Sequence, residues 1–189
     1  MLSLLFIVLI FIFVFREALP LVLGKAVGEE GALSILSTLG IKWRPVSNFP
    51  EFGLWPLVSG SLRVTLVSIF IATPVAVFAA LFNVFFAPRW AKEIIKPTIE
   101  MLAGFPSVVI GFFALVVLAS AMQHLFGATY RLNALVGGVA LSLAVVPIIY
   151  TISEDALTAV PRSLSEASAA LGAQRWQTAL FVVLPAAAP

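Results

Sequence analysis

The chain has 189 residues, of which 61% are hydrophobic and 11% charged, and its mean hydropathy is +1.12. This composition excludes a soluble domain, and the uncharged runs are long enough for several membrane spans. The net charge of +2 is too small to indicate a nucleic-acid partner. Because cysteine is absent, disulfides, cysteine metal sites and thiol catalysis are excluded. The composition therefore predicts an all-α, polytopic membrane protein.

Several motifs of enzyme chemistry are missing from the sequence. It contains no G-x-x-x-x-G-K-[ST] phosphate loop, so the chain cannot hold ATP by itself in the usual way. It also contains no H-E-x-x-H, no G-x-S-x-G and no paired carboxylates inside an apolar run. We therefore expect no catalytic residue, no metal site and no cofactor bound by this chain.

The first apolar run predicts a membrane span over residues 2–23. The run contains Arg16 and Glu17, which we interpret as interfacial anchors near one end rather than as a buried ionic site. A signal peptide is disfavoured, because no basic residue precedes the run and no small-x-small cleavage site follows it cleanly. Residues 24–55 are polar and rich in turn formers, which predicts an extramembrane loop.

The second predicted span covers residues 58–88 and contains Pro74, which predicts a kink. Arg63 lies where this span meets the outside face. The arginine is either a snorkelling interfacial residue, which is the favoured interpretation, or a cation that faces an anion path.

The third predicted span covers residues 98–122 and follows a short charged connection at 89–97. The basic excess of that connection suggests a cytoplasmic loop. Gly104, Pro106 and Ser107 should distort the helix and free backbone groups. The small residues Gly104, Ser107 and Gly111 either allow close helix packing or line a polar path.

The fourth predicted span covers residues 132–153, after a short external loop at 123–131. It contains Gly137 and Gly138, which should let a neighbouring helix approach closely.

Residues 154–177 form a mixed, amphipathic interval before a fifth span that should begin near residue 178. Apolar residues in this interval recur at helical spacing and form one small face: Leu164, Ala167, Ala170 and Leu171. Ser163 and Glu166 have the S-x-x-E spacing of a capping box, and Gly172 can supply the left-handed residue that ends the helix. A second helix should then start at three residues: Gln174, Arg175 and Trp176. An exposed helix with an apolar stripe needs a soluble partner.

The spacing of this interval is similar to the E-A-A, x3, G, x9, I-x-L-P loop of the membrane subunits of ATP-binding-cassette importers. It reads Glu166-Ala167-Ser168, x3, Gly172, x9, Val182-x-Leu184-Pro185, with Ser168 and Val182 as mild departures. The resemblance implies a transmembrane bundle of the type I importer permease kind. It also implies that 154–177 contains the coupling helix, which docks on a cytoplasmic ATPase. The residues implied in that coupling are Leu164, Glu166, Ala167, Ala170, Leu171, Gly172, Arg175 and Trp176. The alternative is an ordinary cytosolic helical turn.

Other segments resemble one subfamily, the PstC-type permeases of phosphate importers. They are F-R-E-A-L-P at 15–20, Trp43-x-Pro45, Phe52-Gly53 and, most specifically, the run that starts at Glu100. That run, E-M-L-A-G-F-P-S-V-V-x-G, is similar to the family's E-L-L-A-G-I-P-S-V-V-x-G. The resemblance implies inorganic phosphate as the substrate. For the translocation path the candidates are four residues: Arg63, Gly104, Pro106 and Ser107.

The same resemblance implies partners and a location. A second permease of the PstA type, two ATPase subunits that bind ATP and magnesium, and a periplasmic or lipid-anchored phosphate-binding protein are expected. The chain should lie in the lipid of a bacterial plasma membrane as a multi-pass protein, without a nucleic-acid partner. The family also carries an R-A-x-G-E-T stretch in the span after Leu-Pro, so we expect a C-terminally truncated chain whose substrate contacts lie beyond Pro189. Alternatives are a permease for another oxyanion or small solute, and a non-transporting regulatory or sensor partner of an ATPase.

Basic residues do not set the orientation of the spans. Five lie in the predicted cytoplasmic loops and six in or near the external ones. The predicted orientation of the loops therefore rests on the resemblance and on the local basic excess at 89–97. Loops 24–55 and 123–131 should lie outside, and loops 89–97 and 154–177 inside.

Overall fold

The computed structural model describes residues 2–22, 39–48, 51–127 and 129–187. Most of the predicted loop at 24–55 lies outside these ranges. The described elements, in chain order, are α1 (Leu2–Val22), β1 (Trp43–Arg44), β2 (Glu51–Phe52), α2 (Trp55–Phe85), α3 (Arg89–Ala103), α4 (Ser107–Phe126), α5 (Ala134–Ala159), α6 (Arg162–Ala170) and α7 (175–186). Helices α4 and α7 each contain a π-helical segment, at Ala114–Leu118 and Thr178–Val183. The prediction of an all-α protein is confirmed, with one short hairpin added.

Three of the described helices are long and apolar enough to cross a membrane, namely α2, α4 and α5. The chain divides into two compact units, residues 1–62 and 63–189. The first unit contains α1 and the hairpin. The second unit consists mainly of the packed helices from α2 to α7.

The hairpin brings together two of the segments that resemble phosphate permeases. Trp43 pairs with Phe52 in antiparallel register, and their ring centroids lie 6.0 Å apart, edge to face. Lys42 and Glu51 form an exposed ion pair at 3.6 Å, and the Gly53 amide donates to the Lys42 carbonyl at 2.8 Å. A Cβ at Gly53 would collide with the Gly40 backbone, so the turn requires glycine there.

In the second unit, α2 and α5 pack through small residues. Every fourth residue of α2 from Ser68 to Ala80 is small and buried, and the alanines 72, 76 and 80 are 0% exposed. This spacing places them on one face of the helix, where small side chains let two backbones approach. A Cβ at Gly138 of α5 would lie 2.6 Å from Val67 Cβ and 3.2 Å from the Val64 carbonyl oxygen. The expected close packing at Gly138 is therefore confirmed.

The two neighbouring glycines of α5 provide a test of this packing. Gly138→Ala should destabilise the protein by about 1–3 kcal/mol, because the added methyl overpacks the interface. Gly137→Ala is the matched control, since its Cβ would meet Val64 Cγ2 at an ordinary 3.4 Å. Thermal unfolding in detergent should show a lower Tm for Gly138→Ala alone. Equal Tm values for the two variants would contradict the close approach of α2 and α5.

The third predicted span differs from the structure. Residues 98–103 belong to α3, an amphipathic helix that begins at Arg89, and the membrane-length helix α4 begins only at Ser107. The chain leaves the helical conformation at Pro106, whose ψ is 132° and which has no amide hydrogen to continue the helix. What the sequence predicted as a distortion is therefore a complete break, and the charged connection at 89–97 is helical.

The hydrophobic core of the second unit lies where α2, α5 and α7 meet. Its buried members are Ala76, Ala80, Leu81, Tyr150, Leu157, Ala179 and Val183, and Ile95 and Ile99 of α3 pack against them. Helix α5 continues to Ala159, six residues beyond the predicted end of its span at 153. This core supports the segment that leads into the predicted coupling loop.

Candidate functional site

Helix α6, the predicted coupling helix, begins without a side-chain cap. Its N-cap residue is Pro161 with ψ 132°, and Arg162 is the first helical residue. The predicted capping box of Ser163 and Glu166 is therefore wrong. Ser163 already lies inside the first turn, and the S-x-x-E spacing can close a box only when its serine precedes the helix.

The end of α6 has the geometry that Gly172 predicts. Gly172 adopts φ +81°, its amide donates to the Ala169 carbonyl at 2.9 Å, and the Ala173 amide donates to the Ser168 carbonyl at 3.2 Å. These two bonds form a Schellman motif, which satisfies carbonyls at the helix end and turns the chain sharply. The predicted left-handed conformation of Gly172 is confirmed.

A capping box does exist in this loop, at the start of α7. The Gln174 amide donates to Gln177 Oε1 at 2.8 Å, while the Gln174 side chain accepts from the Gln177 backbone. Trp176 Nε1 also donates to Gln174 Oε1 at 2.8 Å. The spacing Q-x-x-Q directly after Gly172 is the sequence signal that could have placed the box on this helix.

A buried pair of hydroxyl groups joins the two helices across the turn. Ser168 Oγ of α6 and Thr178 Oγ1 of α7 lie 2.9 Å apart, and the two residues are 7% and 6% exposed. The same threonine hydroxyl lies 3.3 Å from the Gln174 carbonyl oxygen, to which it can donate. Ser168, which departs from the E-A-A pattern, thus makes a cross-turn bond that alanine could not make. Together with the Schellman motif and the capping box, it fixes the angle between α6 and α7.

We call α6, the turn at 171–174 and the start of α7 the elbow, and the residues implied in ATPase coupling are exposed on it. Leu171 is 90% exposed, Leu164 42% and Trp176 46%, and the Trp176 ring packs edge-on against Phe181 at 6.1 Å. The others of the set are also exposed: Glu166, Ala167, Ala170, Gly172 and Arg175. Beside them lies an open cavity of about 360 Å³ lined by Ser168, Leu171, Gly172, Ala173, Gln177, Phe181 and Val182. A rigid elbow that presents apolar side chains beside an open cavity is suited to docking another protein.

The candidates for a translocation path lie elsewhere. Gly104, Pro106 and Ser107 form the exposed break between α3 and α4, and Arg63 is exposed in the first part of α2. In the part of the chain that the structure describes, no hydrogen bond or ion pair joins Arg63 to this break.

Comparison with known proteins identifies related sequences. Residues 72–189 match the family model described as "Binding-protein-dependent transport system inner membrane component". The chain is 41% identical over 160 residues to the probable ABC transporter permease protein YqgH of Bacillus subtilis. The matched region covers 85% of this chain and 52% of that protein. Over 138 residues the chain is 33% identical to the probable ABC transporter permease protein YqgI of the same organism, covering 72% and 45%. It is 29% identical over 180 residues to the phosphate transport system permease protein PstC of Xylella fastidiosa, covering 85% and 54%.

The chain thus spans about half the length of these curated relatives. No solved structure matches it.

Proposed function

We propose that this chain, which belongs to the family of binding-protein-dependent transport system inner membrane components, acts as permease in an ATP-driven importer of inorganic phosphate. The chain is an ABC transporter permease subunit and a multi-pass protein of the plasma membrane. The importer assembly, its substrate and the site residues are the proposed part.

The observation that carries the proposal is the elbow between α6 and α7. Its exposed face, with Leu171 at the tip, is the docking surface for a separate ATPase subunit. Since its angle is fixed by the Schellman motif, the Gln174 capping box and the Ser168–Thr178 bond, a displacement at the ATPase surface passes to α7 without being lost in the turn. ATP and magnesium belong to that ATPase subunit.

Phosphate is supported by the PstC relative and by the break at Gly104–Ser107. The relative's name gives phosphate as its substrate, whereas the names of YqgH and YqgI give none. A second, PstA-type permease is the proposed partner, because the chain resembles PstC-type permeases. A phosphate-binding protein on the outer side completes the proposed importer. Another oxyanion remains the alternative substrate.

Uptake measurements test the substrate. In a bacterium without its own phosphate permease, the full-length protein with its ATPase, partner permease and binding protein should restore uptake of radiolabelled phosphate. Uptake of sulfate and molybdate, measured in parallel, should stay at background. Restored sulfate or molybdate uptake without phosphate uptake would contradict the substrate and leave the permease role intact.

Labelling of single cysteines tests the orientation, because the chain has no native cysteine. Ser47→Cys and Gln174→Cys, both at exposed positions, should react with a membrane-impermeant maleimide from opposite faces. In intact spheroplasts the cysteine at 47 should be labelled and that at 174 protected. Permeabilised cells are the control, in which both should react. Labelling of both positions in intact spheroplasts would contradict the proposed topology.

A further inference from the structure

Glu154 of α5 makes polar contacts with two other helices. Asn83 Nδ2 of α2 donates to Glu154 Oε1 at 3.0 Å, and Lys96 Nζ of α3 lies 4.0 Å from Glu154 Oε2. The side chain of Glu154 is 13% exposed and that of Lys96 is 55% exposed. A carboxylate so shielded from water has lost part of its hydration, and these two contacts replace it.

This cluster lies directly before the docking elbow. Glu154 is one turn after the buried Tyr150 and one turn before Thr158, near the end of α5, and α6 begins at Arg162. A second bond ties the same region, since Lys92 Nζ of α3 donates to the Val84 carbonyl of α2 at 3.0 Å. The last turns of α5 thus connect the start of α6 to α2 and α3.

Two buried atoms of the cluster have no hydrogen-bond partner within the described ranges. They are Asn83 Oδ1 and the Tyr150 hydroxyl, although the Asn83 side chain lies within reach of that hydroxyl. Buried polar atoms without partners are disfavoured, so the cluster is only partly satisfied in this arrangement. Tyr150 and Glu154 lie on one face of α5, four residues apart, where a change of rotamer can exchange partners among Tyr150, Asn83 and Glu154. A cluster with two possible bonding patterns suits an element that moves between two states.

We propose that Glu154 is a positioning residue that couples movement of the docking elbow to α2 and α3. This inference rests on the proposed function. With the Glu154 carboxylate in place, ATP-driven displacement of α6 moves the three helices together. Without its charge, α5 slides past α3, and ATP is hydrolysed with less transport.

The test measures phosphate transported per ATP hydrolysed by the full-length complex in proteoliposomes. Glu154→Gln keeps an oxygen that accepts from Asn83 but loses the charge that attracts Lys96. We expect this ratio to fall by up to about five-fold, the largest effect that one ion pair with a partly exposed lysine usually has. Asp155→Asn is the matched control, because it removes a carboxylate from the exposed neighbouring residue, and its ratio should stay at the wild-type value.

The double variant Lys96→Glu, Glu154→Lys distinguishes a positioning role of Glu154 from a general effect on folding. It restores opposite charges, and a rotated Asn83 amide can accept from the new lysine. The exchange should recover at least half of the wild-type ratio, while Lys96→Glu alone should not. An unchanged ratio in Glu154→Gln would overturn the proposal. Loss of ATPase binding in Glu154→Gln would also overturn it. So would a double variant whose ratio is no higher than that of Glu154→Gln.

The wild-type complex distinguishes this proposal from the proposed function. If it transports sulfate in place of phosphate, the ratio is measured with sulfate and the role of Glu154 is tested unchanged. If it shows no ATP-driven uptake of any anion, both proposals are overturned.

Discussion

Gly172→Val should abolish coupled transport while the protein still reaches the membrane. Gly172 has φ +81°, a conformation that costs a residue with a Cβ about 1–2 kcal/mol and a β-branched residue more. No heavy atom lies within 4 Å of a Cβ built there, so the effect comes from the backbone and not from a collision. The valine should therefore break the Schellman motif and misdirect α7. Membrane level should stay normal, while substrate-stimulated ATP hydrolysis and uptake should fall to background.

Gly172→Asn is the control for this prediction. Asparagine tolerates the left-handed region, so this variant should keep most of the uptake although it also adds a side chain. Glu166→Gln serves as a second comparison, because Glu166 is exposed and caps nothing in α6, so any loss there reports on charge at the ATPase surface. Normal coupled hydrolysis in Gly172→Val would mean that 161–185 is only a well-formed turn between spans.

Leu171→Asp should strongly weaken binding of the ATPase subunit. Leu171 is 90% exposed at the tip of the elbow, beside an open cavity that it helps to line. If it fills an apolar pocket of the ATPase, a charge at this position should cost about 2–4 kcal/mol, at least about 30-fold in affinity. Co-purification of the ATPase with the tagged permease in detergent measures this loss.

Leu39→Asp is the matched control for Leu171→Asp. Leu39 is 73% exposed in the loop predicted to lie outside, so its substitution should leave the co-purified ATPase unchanged. Equal effects of the two substitutions would indicate general destabilisation. Full retention of the ATPase by Leu171→Asp would exclude the elbow tip from the interface.

Local patterns in the sequence predicted the helical character, the two apolar helices α2 and α5 and the turn at Gly172. These features depend on hydropathy and on backbone conformation, which short segments determine largely alone. The start of α6 was mispredicted because the sequence offers two competing cap signals there. Pro161 fits the position before a first helical turn, and the helix begins directly after it. The S-x-x-E spacing that begins at Ser163 does not form the cap. At 98–122 the uncharged run begins at Met101, ahead of the break, so hydropathy alone does not locate the start of α4 at Ser107.

The side-chain contacts on which the proposals rest could not be predicted from the sequence. Asn83 and Glu154 are 71 residues apart, and Ser168 and Thr178 lie on different helices. No periodicity within one segment indicates which polar side chains will meet after two helices pack. Ser168 even counted as a departure from a pattern, although its hydroxyl is bonded.

The near contact of backbone at Gly138 restricts how this bundle can move. Where Val67 and the Val64 carbonyl occupy the space of a missing side chain, α2 and α5 cannot rotate about their own axes or shear past each other without collision. A displacement of α5 at this level should therefore carry α2 with it. The backbone is interrupted elsewhere, at the non-helical stretch 104–106, where α3 and α4 share no continuous ladder of backbone hydrogen bonds.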